Sequence, residues 1–129
     1  MILLDSDVVI DLLREYPPAV AWLNTLGEEE EIALPGFVVM ELVQGCRNKE
    51  EQQHLCRAII PYGVVWLTPD DCDRALEVFL KYRLSHGAGL LDVLIAQTAI
   101  ALGVPLYTFN QKHYRFMKGL QTVQPYTRL

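Results

Sequence analysis

The sequence predicts an α/β layered fold on a mostly parallel sheet of four to five strands flanked by helices, and three observations carry that reading. Short apolar runs of strand length alternate with longer stretches of helical periodicity. Pro and Gly fall between these segments, where chain reversals are needed. Two of the apolar runs lead directly into polar side chains, as strands do where a parallel sheet opens onto a ligand site.

Ile2–Asp5 is an apolar run ended by a carboxylate and reads as a buried strand. Val8, Val9, Leu12 and Leu13 recur at helical spacing until Pro17–Pro18 stops that helix and opens the next, over Ala19 to Leu26. After Gly27 and the acidic turn Glu28–Glu31, Ile32–Leu34 forms a second strand closed by Pro35–Gly36. Phe37 to Cys46 reads as an apolar helix, and Lys49 to Ile60 as a helix ended by Pro61. Val64–Leu67 is β-branched and aromatic, hence strand. Thr68-Pro69-Asp70-Asp71 supplies a hydroxyl cap, a proline at the first helical position and first-turn acids, so a helix starts there and runs to about Leu84. A loop over His86–Gly89 precedes the Leu90 to Leu102 helix, which Gly103 and Pro105 terminate. Leu106–Phe109 is a fourth strand and Thr122–Gln124 a short fifth.

The 129 residues suit one domain, 1–129, burying roughly two-thirds of the surface of the unfolded chain. A content of 51% hydrophobic and 21% charged residues excludes disordered and collagen-like classes. No uncharged apolar run reaches the roughly 18 residues of a membrane span. Met1-Ile-Leu-Leu-Asp5 lacks the basic start of a secretory signal. Cys46, Cys56 and Cys72 are an odd number without a close pair, which suggests reduced thiols and no zinc site. A soluble cytoplasmic protein is expected.

The net charge of −5 conceals an asymmetry. Residues 1–92 hold all 16 acids and 7 bases, whereas residues 93–129 hold no acid and four bases: Lys112, Arg115, Lys118 and Arg128. This is either a solvated surface or an acidic centre beside a basic rim that grips phosphates.

Three carboxylates stand in apolar company: Asp5 at a strand end, Glu41 within Phe37-Val-Val-Met-Glu-Leu-Val43, and Asp92 at the head of Asp-Val-Leu-Ile-Ala. Each has a plainer role available, respectively a helix cap, a solvent-facing helical position and an acid near a helix N-terminus. Gly45, one turn after Glu41, removes bulk beside it. Taken together, three acids on mostly apolar elements could offset their desolvation by converging on one cation. Oxygen-only ligands suit Mg²⁺ or Mn²⁺, which would position a phosphodiester and activate water.

Leu4-Asp-Ser-Asp-Val-Val-Ile-Asp11, Pro35-Gly-Phe-Val-Val-Met-Glu-Leu-Val-Gln-Gly45, Leu91-Asp-Val-Leu-Ile-Ala-Gln-Thr-Ala99 and Leu106-Tyr-Thr-Phe-Asn-Gln-Lys-His-Tyr114 occur in that order. With these four segments the chain resembles PIN-domain proteins, and specifically VapC-type toxins of prokaryotic toxin–antitoxin pairs, nearly end to end. The resemblance implies a PIN-like three-layer domain and an Mg²⁺-dependent endoribonuclease (Mn²⁺ being an alternative ion) that cuts RNA. It also implies inhibition by a small cognate antitoxin whose tail lies across the acidic groove, and a homodimer packed through helices. On these matches Asp5, Glu41 and Asp92 fall on the family's acidic metal positions and Ser6 on its usual Thr or Ser. The last segment departs from the pattern, with Asn110 and His113 where many members carry a fourth acid. Asn110 retains hydrogen-bonding capacity without charge, and His113 reads as a packing or surface residue. Lys112 and Arg115, with Arg14 behind them, are the candidates for phosphate contacts.

Two rival readings remain open at this point. Asp5-Ser-Asp7 also resembles the opening of haloacid-dehalogenase-type phosphatases, with Asp5 as nucleophile and Asp7 as acid, although no acid follows Asp92. A PIN fold kept as a catalytically weak binding module is the other.

Overall fold

Leu3 hydrogen-bonds into the centre of a wholly parallel five-stranded sheet, and every other strand is placed relative to it. The computed structural model describes residues 1–129. Its strands are β1 (Ile2–Leu4), β2 (Ile32–Pro35), β3 (Gly63–Val65), β4 (Leu106–Tyr107) and β5 (Thr122–Val123), ordered β3-β2-β1-β4-β5. Leu3 is in register with Ala33 on one side and Leu106 on the other. A strand flanked on both edges and covered on both faces has to be apolar throughout, and all of Ile2, Leu3 and Leu4 are buried. The chain builds β2 and β3 outward on one side of β1, then β4 and β5 on the other. The order therefore switches between β1 and β4, and the carboxyl ends of those two strands open a crevice.

Six helices flank the sheet: α1 (Ser6–Leu13), α2 (Pro17–Thr25), α3 (Gly36–Gln44), α4 (Lys49–Ala58), α5 (Pro69–His86) and α6 (Leu90–Leu102). Thr68 caps α5 and Asn48 caps α4, each side-chain oxygen accepting an amide of the first turn. Left-handed Gly87 and Gly103 close α5 and α6. α6 packs against α3, α5 and β2 and is the most buried helix, with Val93, Ile95, Ala96 and Ala99 in the interior. The main core joins Ile95, Ala96 and Ala99 to Leu3, Leu4, Leu34, Val38 and Leu106, while Val93 packs with Ala75 and Ala88 in a smaller cluster.

Most segments end within two residues of the sequence reading, and three of the differences have a visible cause. β4 stops at Tyr107 rather than Phe109, because the Phe109 amide is captured by the Asp7 carboxylate and the Asn110 amide by Thr108 Oγ1. β3 covers Gly63–Val65 rather than Val64–Leu67; it pairs with β2 alone, and Trp66 leaves the ladder to lay its ring over Gly36 and edge-on to Phe37. α5 continues to His86, since nothing interrupts it before Gly87.

Leu4 is fully buried in the central strand. Leu4→Ala should lower unfolding free energy by about 2–5 kcal/mol through lost burial and a residual cavity, measured by urea denaturation.

Candidate active site

Asp5 follows β1 directly and is only 3% exposed. Its Oδ1 accepts the Ser6 amide at 2.8 Å, which makes it the N-cap of α1. Its Oδ2 accepts two hydroxyls, Thr108 Oγ1 at 2.8 Å and Tyr114 Oη at 2.8 Å. Thr108 follows β4, and Tyr114 closes a 3-10 turn at Gln111–Tyr114. A carboxylate has about four acceptor sites. Three are filled here, and the one left belongs to Oδ1, so Asp5 can offer a further ligand one oxygen. No cationic side chain pairs with it.

Burial and the Asp5, Asp92 and Asp7 charges push the Tyr114 phenol far above its ordinary value, so it stays protonated and donates. Asp92 lies in the first turn of α6. Burial raises its pKa first; the Asp5 and Glu41 charges raise it further, while His113 and the Tyr114 hydroxyl oppose the shift. Asp92 thus feels the charges of both Asp5 and Glu41. No group of three or more acidic, histidine or cysteine side chains is close enough as placed to hold a metal ion.

Glu41 lies on α3 and lines a groove of about 560 Å³ together with Ser6, Arg14, Leu42, Gly45 and Leu55. Gly45 is the C-cap of α3, and the space beside Glu41 is indeed open there. Lys112, His113 and Arg115 line a second groove with Asp92. Asn110 is exposed on an outer groove with Gln111 and Gln124, and only its backbone amide takes part in the Thr108 network. Asp7 is braced by two amides, accepting Val8 N–H on Oδ1 and Phe109 N–H on Oδ2. Burial, then the Asp5 charge, pushes it up to about 6.

A C-terminal clamp holds this region from behind. Asp11 on α1 accepts Tyr126 Oη at 2.7 Å and Arg128 Nε at 3.1 Å, and the Arg128 guanidinium stacks 4.0 Å over the Phe109 ring. Thr108, Tyr114 and this clamp are absent from the residues singled out by sequence. Thr108 had a usable signal, a hydroxyl immediately after an apolar run. Tyr114 had none, because its partner lies 109 residues away.

Comparison with known proteins identifies the scaffold. A PIN domain model matches residues 2–118. The chain belongs to the PIN-domain family. Within it, the VapC type is the match: Ribonuclease VapC10 of Mycobacterium tuberculosis is 34% identical over 94% of this chain and 91% of its own length. Ribonuclease VapC19 of the same organism is 35% identical over 94% of this chain and 98% of its own. Among solved structures, VapBC2 from Rickettsia felis bound to a promoter DNA fragment superposes with a TM-score of 0.78 at 24% identity, covering 95% of this chain and 98% of that one. The toxin–antitoxin complex from Klebsiella pneumoniae gives 0.77 at 23% identity, covering 99% and 100%. The haloacid-dehalogenase likeness of Asp5-Ser-Asp7 is therefore confined to those residues.

The donor chemistry fits the divalent cation that PIN domains imply. The ligands on offer are all oxygens, one Asp5 lone pair points free, and the charges of Asp5, Glu41 and Asp92 have no ion-pair partner.

Two outcomes follow from the geometry. Tyr114→Phe keeps the ring but removes one donor from Asp5, and should cost about 1.5–3 kcal/mol in thermal or urea unfolding. Asp7 binds its proton more tightly folded than unfolded, so its contribution to stability is full below its ordinary 3.8 and is lost as pH rises through about 6. In EDTA, stability should fall across that window, and Asp7→Asn should flatten the slope in a pH series of urea melts.

Proposed function

We propose that this chain is a divalent-metal-dependent endoribonuclease, the toxin of a toxin–antitoxin pair, with Asp5, Glu41 and Asp92 as its metal-holding carboxylates. The observation that carries the reading is the set of unpaired carboxylates around a buried, fully oriented Asp5 at the sheet's switch point. Burial first, then repulsion from Asp5 and Glu41, raises the proton affinity of Asp92, and a cation would relieve that repulsion. The names of the VapC relatives support the same activity. Mg²⁺ is the expected ion, with Mn²⁺ able to replace it.

Asp5 would give one oxygen to the ion, Asp92 would approach from the head of α6 and Glu41 from α3. Bound there, the cation supplies charge neutralisation at the scissile phosphate and a more acidic water. Thr108 and Tyr114 keep the Asp5 carboxylate from rotating, and the Ser6 amide fixes its outer oxygen. Ser6 supports the site from the Glu41 groove and Asn110 supports it through its amide. Lys112 and Arg115 supply phosphate contacts on the Asp92 side, and Arg14 on the Glu41 side.

The partner reading has its own support. The Glu41 groove has an apolar floor of Ile10, Leu13, Leu42 and Leu55, suited to an amphipathic antitoxin segment that ends at the acidic centre. Leu76, Leu80 and Leu84 are exposed at four-residue spacing along α5, a stripe suited to a homodimer contact. No helix is long and apolar enough to cross a membrane, and a cytoplasmic site of action agrees with an RNA substrate.

Purified protein freed of partner should cleave RNA with Mg²⁺ or Mn²⁺ and stop in EDTA. Asp5→Asn and Asp92→Asn should each reduce cleavage by more than the roughly 10–100-fold that outer partners of a metal site cost. Persistence of cleavage in EDTA would refute the metal mechanism. Glu41→Gln should weaken Mn²⁺ binding in a titration without weakening metal-free RNA binding, since the charge it removes repels phosphate. Unchanged metal affinity would return Glu41 to a solvated helix position.

A further inference from the structure

The groove on the Asp92 side has a composition that holding a metal does not explain. It measures about 450 Å³, within the range of small-ligand sites. One wall is the end of α5 at His86 with the Gly87–Gly89 loop, and the other is the turn bearing Lys112, His113 and Arg115. Asp92 is the only acid lining it. None of the three basic side chains is in an ion pair, in a chain whose acids outnumber its bases.

The loop wall is held in place. Arg83 donates to the Ala88 carbonyl at 3.0 Å, Ala88 is buried, and Gly87 takes the left-handed conformation that turns the chain. Gly89 keeps the approach to Asp92 clear, since a Cβ there would sit 3.1 Å from Asp92 Oδ2. At the outer end three rings pack together. Tyr82 lies 5.2 Å edge-on from His86 and 5.1 Å from Phe116, and both His86 and Phe116 line the groove. Aromatic faces beside unpaired cations are what an unpaired base and its phosphate need, and neither requires a particular base identity.

We propose that this groove seats one unpaired nucleotide of the RNA strand beside the acidic centre, its phosphate among Lys112, His113 and Arg115 and its base against the His86–Phe116 rings. The ligand class is a nucleoside monophosphate unit of single-stranded RNA. The assignment rests on the ribonuclease reading for its biological substrate, but the groove itself binds without metal.

The test is a titration of the full chain in EDTA with adenosine 5′-monophosphate, adenosine and inorganic phosphate, followed by amide chemical shifts. The monophosphate should perturb residues 87–89 and 112–116, and should bind about fivefold or more tightly than phosphate alone, as one stacked base provides. His86→Ala, at an exposed position, should bring its affinity down toward that of phosphate; Arg115→Ala, with Lys112→Ala as a second variant, should bring it down toward that of adenosine. Shifts mapping elsewhere, phosphate binding as tightly as the monophosphate, or variants without effect would overturn the proposal. Mn²⁺-dependent RNA cleavage, measured on the same preparation, separates the two readings. Cleavage with no monophosphate site overturns the subsite alone, whereas a monophosphate site with no cleavage under Mn²⁺ overturns the ribonuclease reading alone.

Discussion

The arrangement of this protein depends on keeping one buried carboxylate hydrogen-bonded and oriented. Asp5 sits at the end of a central strand where water is excluded, and an ion there is costly unless its oxygens are occupied. Three donors from three separate parts of the chain occupy them: the amide that starts α1, the hydroxyl that ends β4 and the phenol that closes the 3-10 turn. The same contacts therefore join the two halves of the sheet across its switch point. The position that a parallel sheet opens to a ligand is also where its own polar cross-link lies.

The charge asymmetry acquires a spatial meaning in this fold. Asp5, Asp7 and Glu41 come from the acid-bearing part of the chain, and Lys112, His113 and Arg115 from the acid-free part. Parallel strand order brings the two together, because β4 lies beside β1. Asp92 stands at the seam, raised in proton affinity by burial and then by the acids, and eased by His113. A polyanion meeting this surface would encounter repulsion at the centre and attraction at its edge.

The parts of the fold readable in the sequence were those fixed by local chemistry. Ile2–Leu4 and Ile32–Leu34 are continuous apolar runs because both faces of a central strand are covered. Thr68-Pro69-Asp70-Asp71 starts a helix because each residue satisfies or complements a free amide of the first turn. Asp5, Glu41 and Asp92 stood out as charges within apolar segments. What the sequence hid was decided at long range. Phe109 has strand propensity but leaves the ladder because a carboxylate 102 residues earlier takes its amide. Tyr114 reads as an ordinary aromatic until its hydroxyl is found on Asp5. The Asn110 amide, which donates to Thr108 Oγ1, carried no signal in the sequence either.

The long separation of these partners also orders events during synthesis. Asp5 leaves the ribosome early, whereas the hydroxyls that hold it, at Thr108 and Tyr114, follow 103 and 109 residues later. Contacts of such separation form only once both ends of the chain are free to meet. A nascent chain that has made β1, β2 and β3 therefore carries its carboxylates unassembled, with Asp5 free to rotate and still hydrated. Topology thus defers the Asp5 cross-link until β4 and the 3-10 turn have been made.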